Sequence, residues 1–198
     1  MAINSANRAR LFATTPLFYR GPASVLSQTG GLVFPLTPTI SYSQTVNYSP
    51  YDLVHTNYTF STYRNTPSPM LQIQAEFTNT TIEEHTYTQG VLHFLRSVTK
   101  MFYGANEGSN PAAGTPPPVL RFSAFGPQIF NNVPVVVANF ATTFDPNVDL
   151  IEGNGGIALP AVMNFAIDLQ VQQSPARQKQ QFTTSGFING QMYNQGFI

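Results

Sequence analysis

The sequence predicts a mainly antiparallel β fold of the α+β class carrying one amphipathic helix, and three observations predict it. Leu71, Ile73, Ala75 and Phe77 alternate with Gln72, Gln74 and Glu76, the two-residue period of a strand with one buried face. Met163, Phe165, Ile167, Leu169 and Val171 alternate in the same way with Asn164, Ala166, Asp168 and Gln170. Between them Val91, Phe94, Leu95, Val98, Met101 and Phe102 recur at steps of three and four, which puts them on one side of a helix.

In chain order, residues 1–30 mix Arg, Pro, Gly and Ser around scattered apolar residues such as Leu11, Phe12, Leu17 and Phe18. No period is sustained, and the segment reads as an N-terminal arm. From 32 to 64 the composition turns to Tyr, Thr, Val and Phe, with partial alternation at Tyr58, Phe60 and Tyr63, so two or three strands are expected. Asn65, Pro67 and Pro69 form a turn signal before the strand at 70–77. Thr81 and Glu84 then have capping-box spacing, and Glu83 and Glu84 complement the positive end of a helix. That helix is expected over about 81–103, with Gly104 as its C-terminal cap. The prolines and glycines of 105–118 leave a long loop. Further strands are expected at 119–125, 128–130, 133–143 and 161–172, so the β domain spans 31–173. In the Gln-rich segment 174–198, Phe182, Phe187, Met192, Tyr193 and Phe197 stand apart among polar residues. Such isolated anchors fit a C-terminal arm that docks on a partner, or equally an arm that wraps its own domain.

The 198 residues, 42% of them hydrophobic, fit one domain, and no apolar run approaches the roughly 20 residues that span a bilayer. Charged residues make up only 9%, against about 25% in ordinary domains. Asn, Gln, Ser and Thr take their place, giving a polar surface that loses little desolvation energy in extensive contact with other subunits. Nine basic and nine acidic residues cancel, so no field draws the chain to nucleic acid or anionic lipid. The absence of cysteine excludes disulfides, thiolate metal sites and thiol nucleophiles. Residues 1–19 show no secretion-signal pattern, so the sequons at Asn47, Asn57 and Asn79 are expected to be unused.

No constellation of residues points to catalysis, to a cofactor or to a metal. His85 and His93 stand eight residues apart on the expected helix, too far along its axis for one ion, and His55 is elsewhere. The segment beginning at Asp145 opens like a calcium loop but has Leu150 where glycine is required and Gly156 where glutamate is required. It reads as a turn with solvated carboxylates. The glycines at 153, 155 and 156 lack the lysine and the strand-to-helix context of a phosphate loop, and Ser123 and Ser185 lack a nucleophile-elbow context. Arg64, Arg96, Lys100, Arg121, Arg177 and Lys179 are dispersed and form no basic stripe.

Several segments, taken in order, resemble a known family. They are Ala75-Glu-Phe-Thr-Asn79, the helical run from Val91 to Gly104 containing Phe-Leu-Arg and Lys-Met-Phe, and Gly114-Thr-Pro-Pro-Pro-Val-Leu120. Phe130-Asn-Asn-Val-Pro-Val-Val-Val-Ala-Asn-Phe140, Asp145-Pro-Asn-Val-Asp-Leu-Ile151, Leu159-Pro-Ala-Val-Met163, Gly186-Phe-Ile-Asn-Gly190 and Gly196-Phe-Ile198 follow. Together, from about residue 30 to the end, they resemble the tube-initiator or tube-adaptor proteins in the baseplates of contractile-tailed phages. The first 30 residues match no part of that pattern.

The resemblance implies a tail-tube-like fold, an antiparallel sandwich or barrel flanked by one helix, in a hexameric ring whose strands line a channel. It implies a non-enzymatic virion protein of the tail baseplate, assembled in the host cytoplasm. Its partners are then the hub and tail tube proteins, with DNA passing through the lumen and no membrane contact. Two other readings stand beside it: a tail tube subunit or tail completion protein, and a carbohydrate-binding adsorption module. Aromatic residues at 13% favour the last, and the absence of Trp weakens it.

Overall fold

The structure, a computed structural model, describes residues 7–104, 112–145, 147–153 and 156–198. The chain enters the fold at once. Strand β1 (Arg10–Ala13) is followed by two 3-10 turns, Pro16–Phe18 and Gly21–Val25, and by α1 (Leu26–Thr29). Gly30 ends α1 in the left-handed region at φ 68°, where glycine carries no Cβ penalty, and β2 (Leu32–Val33) returns beside β1. Leu11, Leu26, Leu32 and Phe34 are fully buried. At about 2 kcal/mol each they contribute on the order of 8 kcal/mol before ordering costs. The expected N-terminal arm is therefore corrected: from residue 9 onward it is a sheet edge and part of the core. Its strands of four and two residues are too short to show a period.

Next come β3 (Thr39–Ser43), the hairpin β4 (Asn47–Tyr51) and β5 (Phe60–Asn65), and the long strand β6 (Met70–Thr78). The expected alternation in β6 holds residue by residue, with Leu71, Ile73, Ala75 and Phe77 buried and the residues between exposed. Helix α2 (Ile82–Val98) starts as its sequence requires: Thr81 accepts from the Glu84 N–H at 3.2 Å and Glu84 accepts from the Thr81 N–H, also at 3.2 Å. It ends five residues before the expected 103, and Gly104 is not its cap. The Thr99 hydroxyl takes up the carbonyls of Leu95 and Arg96, and Phe102 turns away to exchange backbone bonds with Gly114 and Thr115. Met101 is thus exposed and Phe102 packs edge-on against Phe18. Of the expected loop at 105–118, residues 105–111 lie outside the described ones.

The remaining elements are β7 (Leu120–Ala124), β8 (Phe130–Phe144), the short hairpin β9 (Leu150–Glu152) and β10 (Ala158–Pro160), β11 (Val162–Val171), and the helices α3 (Pro175–Gln181) and α4 (Thr184–Ile188). The two strands expected at 128–130 and 133–143 are one, because Asn131 and Asn132 form a bulge and do not end it. Asn132 takes φ 53° while its N–H donates to the Ser123 hydroxyl. Seven strands form one antiparallel sheet in the order β2-β1-β7-β8-β11-β6-β3. Helix α2 and the N-terminal turns cover one face. The sheet does not close, so the fold is a mainly antiparallel open sheet with a helical layer and not a barrel.

Candidate assembly surface

Among the described residues four features outside the core stand out as candidate contact surfaces. The first is the open face of the sheet. The registers place Thr39, Gln74, Ala166 and Ala141 in one row, Ser41, Gln72, Asp168 and Asn139 in the next, and Glu76, Asn164 and Thr143 in a third. On β6 and β11 these side chains point away from the core, since their neighbours along the strand are buried, and the residues of β3 and distal β8 share their side by register. Over β3, β6, β11 and distal β8 the charges of this face are two carboxylates, one of which, Asp168, accepts a bond from Asn139 at 3.2 Å; Arg10 and Arg121 lie on the same side of β1 and β7.

The second is a pair of unsatisfied strand edges. Among the described residues strand β3 pairs only with β6, and none of them meets its outer side. Strand β8 pairs with β7 only through Phe130–Val135, so its distal part, 136–144, bonds to β11 alone. A bulge at Ala138, which has no partner between the Asp168–Asn139 and Leu169–Val137 pairs, bends that distal part away from β7.

The third is the β4–β5 hairpin. Tyr48 faces Tyr63 and Tyr51 faces Phe60 across it. Residues three apart lie on opposite sides of a strand, so each face of the ribbon carries an aromatic pair. Tyr58 at its tip is 84% exposed and Val54 83%. Five largely exposed aromatic rings present on the order of 600 Å² of apolar surface, divided between the two faces. A two-stranded ribbon with no covered face is marginal by itself in water and gains stability when both faces are buried.

The fourth is the C-terminal segment, and here the expected docking residues divide. Met192 (7% exposed) and Phe197 (5%) are buried in their own domain, whereas Phe182, Phe187 and Tyr193 remain exposed. The segment is not a free arm. Ser174 and Thr183 cap its two short helices, Gln173 Nε2 donates to the Gly196 carbonyl at 2.7 Å, Asn131 bonds Asn194, and Arg177 bonds the Gln195 carbonyl while lying over the Phe197 ring. Phe182 packs on both Phe187 and Phe197 at 5.8 and 5.4 Å. Between these rings and the base of the hairpin, at Gln44, Pro67 and Pro69, lies a cleft of about 290 Å³. The caps Ser174-Pro175 and Thr183-x-x-Gly186 were visible signals of this local order.

The titratable groups among the described residues are dispersed. His55 and His93 are exposed. His85 is 1% exposed and lies under Gly153, where no Cβ would fit. Glu84 is held below its ordinary carboxyl value first by the Thr80 hydroxyl and then by backbone N–H groups, as a cap should be. Desolvation, and then Arg177, lowers Arg121. At Asp145 the carboxylate accepts from the Asn147 N–H at 2.9 Å, a local turn. Among the described residues no cluster of three or more His, Asp or Glu side chains would hold a metal, and no helix is long and apolar enough to cross a membrane.

No protein-family model matches the chain, and no curated protein matches it.

Proposed function

We propose that the chain is a structural subunit that closes into a ring around a channel, in the manner of the contractile-tail baseplate proteins its sequence resembles, and that it acts by geometry and not by catalysis. The observation that carries this reading is the band β3-β6-β11-β8, a polar four-stranded surface with one unpaired edge at each side. The two edges differ, so copies join head to tail, and such contacts close into rings when the rotation per contact divides a full turn. Strand β3 runs opposite to β8, so a neighbouring β3 placed beside distal β8 continues the antiparallel alternation.

Six copies, the number the resemblance implies, would contribute 24 strands at about 4.8 Å spacing, roughly 115 Å around and about 37 Å across before tilt. A ring of that size leaves a channel, since barrels of 16–18 strands already do. Its lining would be mostly amide, hydroxyl and carboxylate, with Met70, Val136, Ala141 and Ala166 among them and nothing cationic to retain passing DNA. The aromatic hairpin and the exposed Phe182, Phe187 and Tyr193 then serve contacts above and below the ring, with hub and tube proteins. Native mass spectrometry of the chain co-expressed with its hub and tube neighbours tests the reading. A six-fold species is expected. A strictly monomeric or two-fold protein in their presence overturns it, and open-ended tubes would make the chain the tube subunit.

A further inference from the structure

The two ends of the seven-stranded sheet are built differently. At the β3 end, no backbone group of the described residues meets the outward side of Thr39–Ser43. At the β2 end, every outward group from Gly31 to Pro35 is taken. The Gly31 N–H donates to the Leu26 carbonyl at 2.9 Å, and its carbonyl accepts the Thr29 hydroxyl at 2.6 Å. The Val33 N–H donates to the Tyr87 hydroxyl at 2.8 Å, and that hydroxyl donates back to the Val33 carbonyl at 2.7 Å. Pro35 has no N–H, and its carbonyl accepts from Arg8 at 3.4 Å. Where β2 has stopped, the Tyr19 hydroxyl repeats the arrangement on β1, accepting from the Ala13 N–H at 2.7 Å and donating to its carbonyl at 3.1 Å.

An added strand would make the same two bonds to a residue such as Val33: one accepted from its N–H, one donated to its carbonyl. Each phenol therefore occupies the place of one residue of a missing strand. Both rings are fixed from the core side, Tyr87 by its position in α2 and Tyr19 by stacking on Phe94 at 5.7 Å and 5°. Burial raises both phenols above their ordinary values, which keeps the donated proton in place at neutral pH. Strand edges left open add strands from other chains, and proteins commonly block them with charge, proline or a bulge. Leu32 and Val33 carry no charge.

We propose that Tyr87, seconded by Tyr19, is an edge seal: it makes the β2 end of the sheet unable to accept a strand from another chain, so strand addition is confined to β3 and distal β8. The seal stands whether or not the chain forms a ring.

The test compares three proteins at equal concentration by size-exclusion chromatography with light scattering, with circular dichroism to verify folding. Tyr87→Phe keeps the ring and removes the hydroxyl. It is expected to shift the weight-average mass to at least twice that of the wild type. In Tyr87→Phe combined with Val33→Pro, the freed edge has no donor at residue 33, and proline is tolerated at an outward-facing edge position. Its mass distribution is expected to return to that of the wild type. A folded Tyr87→Phe protein with unchanged mass overturns the proposal, because the hydroxyl is then structural only. Equal association of the single and double variants also overturns it, because the association then comes from general destabilisation. Should Tyr87→Phe not fold, Tyr19→Phe with and without Ala13→Pro gives the same comparison one strand further in, with the same refuting outcomes. A wild type that stays monomeric with its partners sinks the ring and leaves this readout intact.

Discussion

Replacing Gly90 with alanine tests whether the N-terminal segment belongs to the core. Gly90 lies in the middle of α2, where glycine costs about 0.8–1.0 kcal/mol relative to alanine, so on helix propensity alone the substitution stabilises. The structure reverses the sign. A Cβ at Gly90 would stand 2.7 Å from Val25 Cγ1 and 2.9 Å from the Pro22 carbonyl oxygen. The valine has little room to rotate, and the carbonyl belongs to a 3-10 turn that moves only with its backbone. Forcing a methyl into such a contact costs about 1–3 kcal/mol, and more when backbone must shift. Because the Pro22 carbonyl moves only with its backbone, the upper part of that range applies, and subtracting the propensity gain leaves destabilisation by about 1–2 kcal/mol. A domain of this size loses about 2–4 °C per kcal/mol, so the thermal midpoint followed by circular dichroism should fall by about 2–8 °C. A midpoint that stays or rises would separate the 3-10 turn from α2 and return residues 9–34 to the role of an arm.

Alkaline pH probes the two capping tyrosines. Their folded phenol values lie above the ordinary value of about 10, chiefly through burial and partly offset by bonds to Ala13 and Val33, so their contribution is complete below pH 10 and lost as pH rises through the folded values. Midpoints should hold flat up to about pH 9 and drop above 10, and the double variant Tyr19→Phe and Tyr87→Phe should flatten that drop; an equally steep fall in the variant would refute the assignment. Deleting residues 174–198 uncovers the surfaces beneath Met192 and Phe197, worth about 2 kcal/mol each. The truncated protein should fold with its midpoint lowered by about 8–16 °C, and an unchanged midpoint would show that the segment is a free arm.

What the residues made legible were the elements whose own period is long enough to declare itself. β6, β11 and α2 run nine, ten and 17 residues, and each buries the face its pattern marks. The capping box at Thr81 and Glu84 was also legible, because both partners are local. Illegible were β1, which pairs with β7 more than 100 residues away, and β2, which is held in turn by β1. The β9–β10 hairpin was missed for a related reason, since strands of three residues carry no period. For the candidate surface the division is sharper. Phe182, Phe187, Met192, Tyr193 and Phe197 look alike in sequence, and the fold alone separates Met192 and Phe197, which are buried, from the three that stay exposed.

By itself the sequence determined a low-charge, mainly β chain with one capped helix, two strongly two-faced strands and no reactive cluster, because composition and local periodicity act within a few residues. Tertiary structure alone decided that the sheet stays open and which edges remain free. An edge is defined by what fails to pair with it, and that depends on the whole strand order. The same logic explains Tyr87. Nothing in its neighbourhood on α2 marks it as a strand surrogate, since its partner, Val33, lies 54 residues away and meets it only when helix and sheet pack together.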